Sequence, residues 1–386
     1  MIRQIFLTVL LVLVYGPAVA PAVAMATVST ASSLTIVSDD LATDLQGVVD
    51  TFLADNPVAP GVVVYVSCPS HGLDWTGIAG YEDRHSDRPL TPGHTFRIAS
   101  NTKAYVAVAL LRLAELGKLD LDDALGLHLP AEYHDLLSGD GYDLQAMTLR
   151  QVLSHTAGLF EHPADPRYAE QILADPQYAW TPEEQVTRCV EWGDPVGAPG
   201  EKFSYSDTGY ILLGSIIEKL TGENLGMAVH ELCDYESLGL RSTWWEIMEE
   251  VPAGVGPRAH QYFGDHDTND WHPGLDLYGG GGLLSDVRDL AQFMLLLMKG
   301  EVLSSEASLA AMTGGGTSGY RLGLICTELG GHIAYGHTGF WNTFAFHIPA
   351  LDLTLSGCVL SHNAARGQEL ADKMVKVISD VSGPKD

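Results

Sequence analysis

The segment Phe96-Arg97-Ile98-Ala99-Ser100-Asn101-Thr102-Lys103 sets a hydroxyl and an amine three residues apart, just ahead of a long apolar stretch. A serine hydroxyl is a poor nucleophile at neutral pH until a base takes its proton. On a helix, a lysine three residues further along lies one turn away on the same face. The start of a helix adds unpaired backbone N–H groups and a partial positive charge. One turn thus offers a nucleophile in Ser100, a base in Lys103 and part of a cradle for an oxyanion. The spacing alone is a weak signal. Ser382-Gly383-Pro384-Lys385 repeats it with Gly and Pro between the ends, which no regular helical turn accommodates. The alternative reading of Ser100 is a helix cap.

Two further segments carry reactive side chains. Pro199-Gly200-Glu201-Lys202-Phe203-Ser204-Tyr205-Ser206-Asp207-Thr208-Gly209-Tyr210 reads as a turn leading into a helix, with Asp207 placed to cap it. Tyr335-Gly336-His337-Thr338-Gly339-Phe340 lies on a strand. A third cluster, His260, Asp265, His266, Asp267, Asn269, Asp270, His272 and Asp276, has oxygen spacing faintly like a calcium loop. Asp270 stands where such a loop turns on glycine, so an acidic loop over the cleft mouth is expected and no metal. Gly279 to Gly282 lack the Lys-Ser or Lys-Thr ending of a phosphate loop, and no cofactor is implied.

Hydropathy locates the elements that must hold these groups. A periodic helix is expected over 39–55, buried strands over 61–67 and 73–80, and a helix over 102–116 that is apolar almost all round and therefore central. Gly117 suits its C-cap. From about 120 to 305 the chain reads as mainly helical, with segments at 149–153, 183–192, 209–220 and 287–299. Strands return at 332–335, 343–347 and 353–360, followed by a closing helix over 368–381. Strands at both ends with helices between them predict an α+β fold. Terminal strands would pair into one antiparallel sheet (lobe 39–119 and 320–386), a mostly helical lobe (120–319) would be inserted, and the site would lie in the cleft between them.

Net charge is −28, and −29 without the first 26 residues, which hold Arg3 and no acid. Such a surface repels phosphate backbones, which excludes nucleic-acid partners. Arg3, the apolar run 5–14 and small residues such as Ala22-Val23-Ala24 and Ala24-Met25-Ala26 read as a signal peptide over 1–26. The apolar run is too short for a stable anchor, so a single catalytic domain over 27–386, secreted or periplasmic, with no stable membrane span, is expected. The five cysteines are scattered without a Cys-x-x-Cys pair, which speaks against thiolate metal binding. Cys68, Cys326 and Cys358 sit in strand-like runs as buried thiols, although one or two disulfides are open to an exported chain.

Taken in order, Ser100–Lys103, Tyr205-Ser206-Asp207 and His337-Thr338-Gly339 resemble three motifs of the serine β-lactamase and penicillin-binding protein superfamily. Those motifs are Ser-x-x-Lys, Tyr-x-Asn, and Lys-Thr-Gly or His-x-Gly. The branch resembled is that of class C β-lactamases, DD-carboxypeptidases, D-aminopeptidases and related esterases. Leu153-Ser154-His155-Thr156-Ala157-Gly158-Leu159 and Gly280-Gly281-Gly282-Leu283-Leu284-Ser285 support it. The resemblance implies that Ser100 is acylated and that Lys103, desolvated, takes its proton. Tyr205 would carry protons as a phenol or phenolate close to two cations. The backbone N–H groups of Ser100 and Phe340 would form the oxyanion hole, His337 and Thr338 would line the cleft, and Gly339 would let substrate approach. His155 would be structural. Asp207 departs from the Asn of the pattern. A carboxylate accepts hydrogen bonds but cannot donate, and while it would hold Lys103 in place its charge would make that lysine a worse base; Asp207 could instead stay protonated or bind a cationic substrate amine. His337 in place of Lys grips a substrate carboxylate less firmly. The expectation is a hydrolase of D-amino-acid peptides, amides or small esters. The alternatives are a weakly catalytic protein that binds β-lactams or cell-wall peptides, and a β-lactamase of low activity.

Overall fold

The structure, a computed structural model, describes residues 39–315 and 319–382. The expected signal peptide lies outside the described residues. The strands are β1 (Gly61–Cys68), β2 (Leu73–Gly80), β3 (Phe96–Arg97), β4 (Trp244–Trp245), β5 (Tyr262–Phe263), β6 (His266–Asp267), β7 (Leu283–Ser285), β8 (Ile325–Leu329), β9 (His332–Gly339), β10 (Thr343–Ile348) and β11 (Leu353–Val359). Six of them form one antiparallel sheet in the order β2-β1-β11-β10-β9-β8. The chain's first and last strands thus meet at β1 and β11, with Val63 opposite Cys358. Residues between them are mainly helical, as an α+β reading expects.

Side chains alternate across a strand, and here both faces of the sheet are covered. Val62, Val64, Val66, Phe344, Phe346 and Leu355 pack against the helices Asp39–Asp55 and Gly367–Ser382. Val63, Tyr65, Ala345 and Cys358 face the larger core, which contains the helix Thr102–Glu115. A valine-rich strand buried on both faces reads as a continuous apolar run, and all eight residues of β1 are buried.

The helix Thr102–Glu115 is buried from Thr102 through Leu111, so the sheet, the helical region and the three-stranded sheet β3-β7-β4 all close on it. Its entry is fixed tightly. Ala99 takes a left-handed backbone (φ 46°) in the short 3-10 turn Ala99–Asn101 between β3 and the helix. A non-glycine residue held there marks a turn that its surroundings over-determine. All five cysteines are free thiols, and all but Cys326 are buried.

Candidate active site

Ser100 sits in the middle of that turn. Its side chain makes no cap hydrogen bond. The Lys103 Nζ lies 3.0 Å from Ser100 Oγ and 2.7 Å from the Gly280 carbonyl. It also lies 2.5 Å from Asp207 Oδ1, an ion pair whose lysine side chain is 0 % exposed. A buried amine survives only with partners, and all three here are oxygens. The Gly280 carbonyl is available because the four-glycine turn lets two acids close on it. A Cβ on Gly280 would lie 3.3 Å from the Asp207 carboxyl carbon, and one on Gly281 would overlap Asp276 at 2.1 Å.

The turn is stitched to the sheet by residues that sequence reasoning did not single out. Asn101 Nδ2 donates to the Ile98 carbonyl and to Thr343 Oγ1, both at 2.9 Å, and Thr343 Oγ1 donates to the same carbonyl at 2.9 Å. Gly339 at the end of β9 packs directly on this turn, since a Cβ there would stand 2.3 Å from the Ile98 carbonyl oxygen. Any side chain would push the strand off Ser100. Thr338, Gly339 and Phe340 are half-buried along this edge.

Tyr205 reaches the same place from the helical side. Its ring centre is 5.0 Å from Lys103 Nζ, which places the phenol beside Ser100 and its lysine. His155, a buried residue with left-handed backbone (φ 56°), brackets it. The His155 carbonyl accepts from Ser204 N–H (2.8 Å), its Nδ1 accepts from Ser206 N–H (3.1 Å), and its ring lies 4.1 Å from that of Tyr205. The structural role expected of His155 is this one.

The geometry bears on three readings left by the sequence. Of the two states open to Tyr205, phenol or phenolate, the surroundings favour the phenol. Burial, and then the charge of Asp207, push its pKa well above the ordinary tyrosine value, so it rests as a neutral phenol. His337 does not present its ring to the cleft. It is 2 % exposed, and both nitrogens are engaged, Nε2 with the Tyr320 hydroxyl at 2.9 Å and Nδ1 with the Thr338 carbonyl at 2.6 Å. Burial and the nearby Lys103 lower its pKa to about 3, so it is neutral. Asp207 does not cap its helix. Ser206 is the N-cap, without a side-chain cap bond, and Asp207 opens the helix Asp207–Thr221 with its carboxylate turned to Lys103.

Asp207 also has unexpected company. Its backbone N–H donates to Glu161 Oε2 at 2.5 Å. Burial, and then the Asp207 charge, push the Glu161 carboxyl well above the usual carboxylate range. The same two causes raise Asp276 to about 7, against the pull of Lys103. Asp207 and Asp276 line a small cavity with Gln185, Tyr278 and Gly280, with room for about one water molecule. Of the suspected calcium-loop residues, Asp276 thus joins this site, while His260 pairs with Asp267 at 2.6 Å. Glu161 directly follows the Leu153 to Leu159 and Phe160 run, and that adjacency was its only sequence signal.

A Beta-lactamase family model matches residues 48–373. Among solved structures, a D-stereospecific amidohydrolase from Streptomyces sp. is 28 % identical and superposes with a TM-score of 0.73 over 87 % of this chain and 97 % of its own. The D-amino acid amidase of Ochrobactrum anthropi SV3 is 24 % identical, with a TM-score of 0.76 over 89 % and 100 % of the two chains, a likeness of fold. A putative D-alanyl-D-alanine carboxypeptidase of Salmonella agona is 27 % identical over 234 residues, 54 % of this chain and 52 % of that one. The chain spans about half or less of the length of the curated relatives it matches.

Proposed function

The chain belongs to the β-lactamase family and is a serine hydrolase, and from that premise we propose that it cleaves amides or esters of D-amino acids bearing a free α-ammonium group, through an acyl-Ser100 intermediate. The observation that carries this reading is the contact of Lys103 Nζ with Ser100 Oγ at 3.0 Å inside an acidic wall. Lys103 Nζ, held by the Gly280 carbonyl and beside the Asp207 carboxylate, stands where it can take the Ser100 proton. Ser100 Oγ then adds to the substrate carbonyl. The backbone N–H groups of Ser100 and Phe340 hold the oxyanion, worth about a hundredfold or more in rate for each donor. Tyr205, a neutral phenol, gives its proton to the leaving amine or alkoxide and is reprotonated from Lys103. Water, deprotonated along the same path, releases the acid.

The substrate class follows from the acids. The Asp207 carboxylate, joined by Asp276 as it ionises around neutrality, creates a field that favours a cation beside the nucleophile. The Streptomyces relative, which acts D-stereospecifically on amides, supports the same direction. No helix among the described residues is long and apolar enough to cross a membrane. We place the enzyme outside the cytoplasm on the strength of the leader-like residues 1–26. The test is a panel of D- and L-aminoacyl amides, their N-acetyl derivatives, D-Ala-D-Ala peptides, p-nitrophenyl esters and nitrocefin. Free D-aminoacyl amides should turn over fastest. Equal rates for N-acetyl and free-amine substrates would refute the amine-recognition part.

A further inference from the structure

Three successive carbonyls at the end of β9 are each held by a donor. Thr338 O accepts from His337 Nδ1 at 2.6 Å, Gly339 O from the Asn342 backbone N–H at 3.0 Å, and Phe340 O from His362 Nδ1 at 2.7 Å. A carbonyl oxygen can only accept, so both histidines carry their proton on Nδ1. The lone pair of His337 is therefore on Nε2, where the Tyr320 hydroxyl donates at 2.9 Å. Tyr320 and His337 are 1 % and 2 % exposed, which shields this pair from water. His362 also stacks on the Phe340 ring, with centres 4.2 Å apart, and its own backbone N–H is tied to Tyr262 O at 2.8 Å. The peptide between Gly339 and Phe340 carries the N–H read above as an oxyanion donor. His337 and His362 hold the peptides on either side of it.

The geometry points to His337 and His362 as a pair of positioning residues that aim the Phe340 N–H at the oxyanion, with Tyr320 locking the tautomer of His337. Glycine at 339 is required by the close approach to Ile98, and it leaves the backbone free to rotate. Its neighbours must supply the rigidity that it lacks. Oxyanion donors act by being oriented beforehand, so a small rotation of this peptide costs transition-state binding while leaving ground-state binding alone. The inference rests on the assignment of Ser100 and Phe340 in the proposed function.

The experiment compares the wild type with His362→Phe, which keeps a ring on Phe340 and removes the donor, and with Tyr320→Phe, which leaves the His337 lone pair without its proton. Phenylboronic acid serves as probe, because its Ser100 adduct mimics the tetrahedral intermediate. In each variant, kcat/KM and boronate affinity should fall together by roughly 10- to 100-fold, with KM and inhibition by the free D-amino acid within about twofold. Activity lost with boronate affinity unchanged would overturn the proposal and leave the Ser100 reading standing. A wild type that forms no Ser100-dependent boronate adduct would overturn both. Nitrogen NMR of the wild-type imidazoles, which needs no variant, should show Nδ1–H tautomers for both residues, and Nε2–H tautomers would overturn the proposal.

Discussion

Replacing Asp207 by Asn changes one charge at the centre of the site and almost no volume. The carboxylate stands 2.5 Å from Lys103 Nζ and adds to the negative field that raises Glu161 and Asp276. A hydrogen bond to a charged group contributes about 1.5–3 kcal/mol. Loss of that contribution from ammonium recognition lowers kcat/KM for free D-aminoacyl amides by roughly 10- to 150-fold. N-acetyl substrates carry no charge there and should be spared. The new amide can donate to a substrate carbonyl, a neutral bond of about 0.5–1.5 kcal/mol, so β-lactam acylation should rise about 2- to 10-fold. Stability is pulled both ways. The buried lysine loses its counter-ion but keeps an amide oxygen, while two raised carboxyls lose a like-charged neighbour. The thermal midpoint should therefore shift by only a few degrees. The assay is kcat/KM on matched free and N-acetylated amides, with nitrocefin acylation followed by stopped flow. An unchanged preference for the free amine, or β-lactam acylation that stays level or falls, would refute the reasoning.

Other consequences can be checked separately. Asp276, raised to about 7, becomes charged as pH rises through neutrality. Turnover of free-amine substrates should therefore climb between pH 6 and 8 with a limb that Asp276→Asn abolishes, and a limb that survives the substitution would contradict this. Glu161 has its folded pKa above the unfolded value of 4.5, so it lowers stability progressively as pH rises from there, by at most about 1.4 kcal/mol per pH unit. Glu161→Gln should be more stable than wild type at pH 8 and no more stable at pH 4 in urea titrations; the opposite order would show that Glu161 is ionised at little cost. Asn101→Ala removes two hydrogen bonds from a residue 1 % exposed. It should cost about 2–3 kcal/mol in urea unfolding and lower kcat, whereas a loss under about 0.5 kcal/mol would mean the turn is held otherwise.

What the sequence revealed and what it hid differ in range along the chain. Ser100 and Lys103 were legible because one turn suffices to bring them together. The strands β1 and β11 and the central helix were legible because burial on all sides leaves uninterrupted apolar runs. β8 was missed. It is an edge strand with mixed burial, so Ile325 to Leu329 show no clean alternation. β3, β4, β5 and β6 have two residues each, too few for any period. Glu161 lies 46 residues from Asp207, and only the fold brings its carboxyl to the Asp207 N–H. His337 was placed on the right strand. Its face was hidden, because what a strand residue meets depends on Tyr320, which arrives from outside that strand. The sequence left Tyr205 open between phenol and phenolate for the same reason, since the acids that favour the phenol are distant in sequence.

The most direct test of the account is the intact mass of the protein after brief exposure to a fluorophosphonate and to a p-nitrophenyl ester. A single adduct should form with each reagent, map to Ser100, and be absent from Ser100→Ala; the ester adduct should decay with the turnover rate. An adduct elsewhere, or an active Ser100→Ala enzyme, would contradict the claim that Ser100 carries the acyl group.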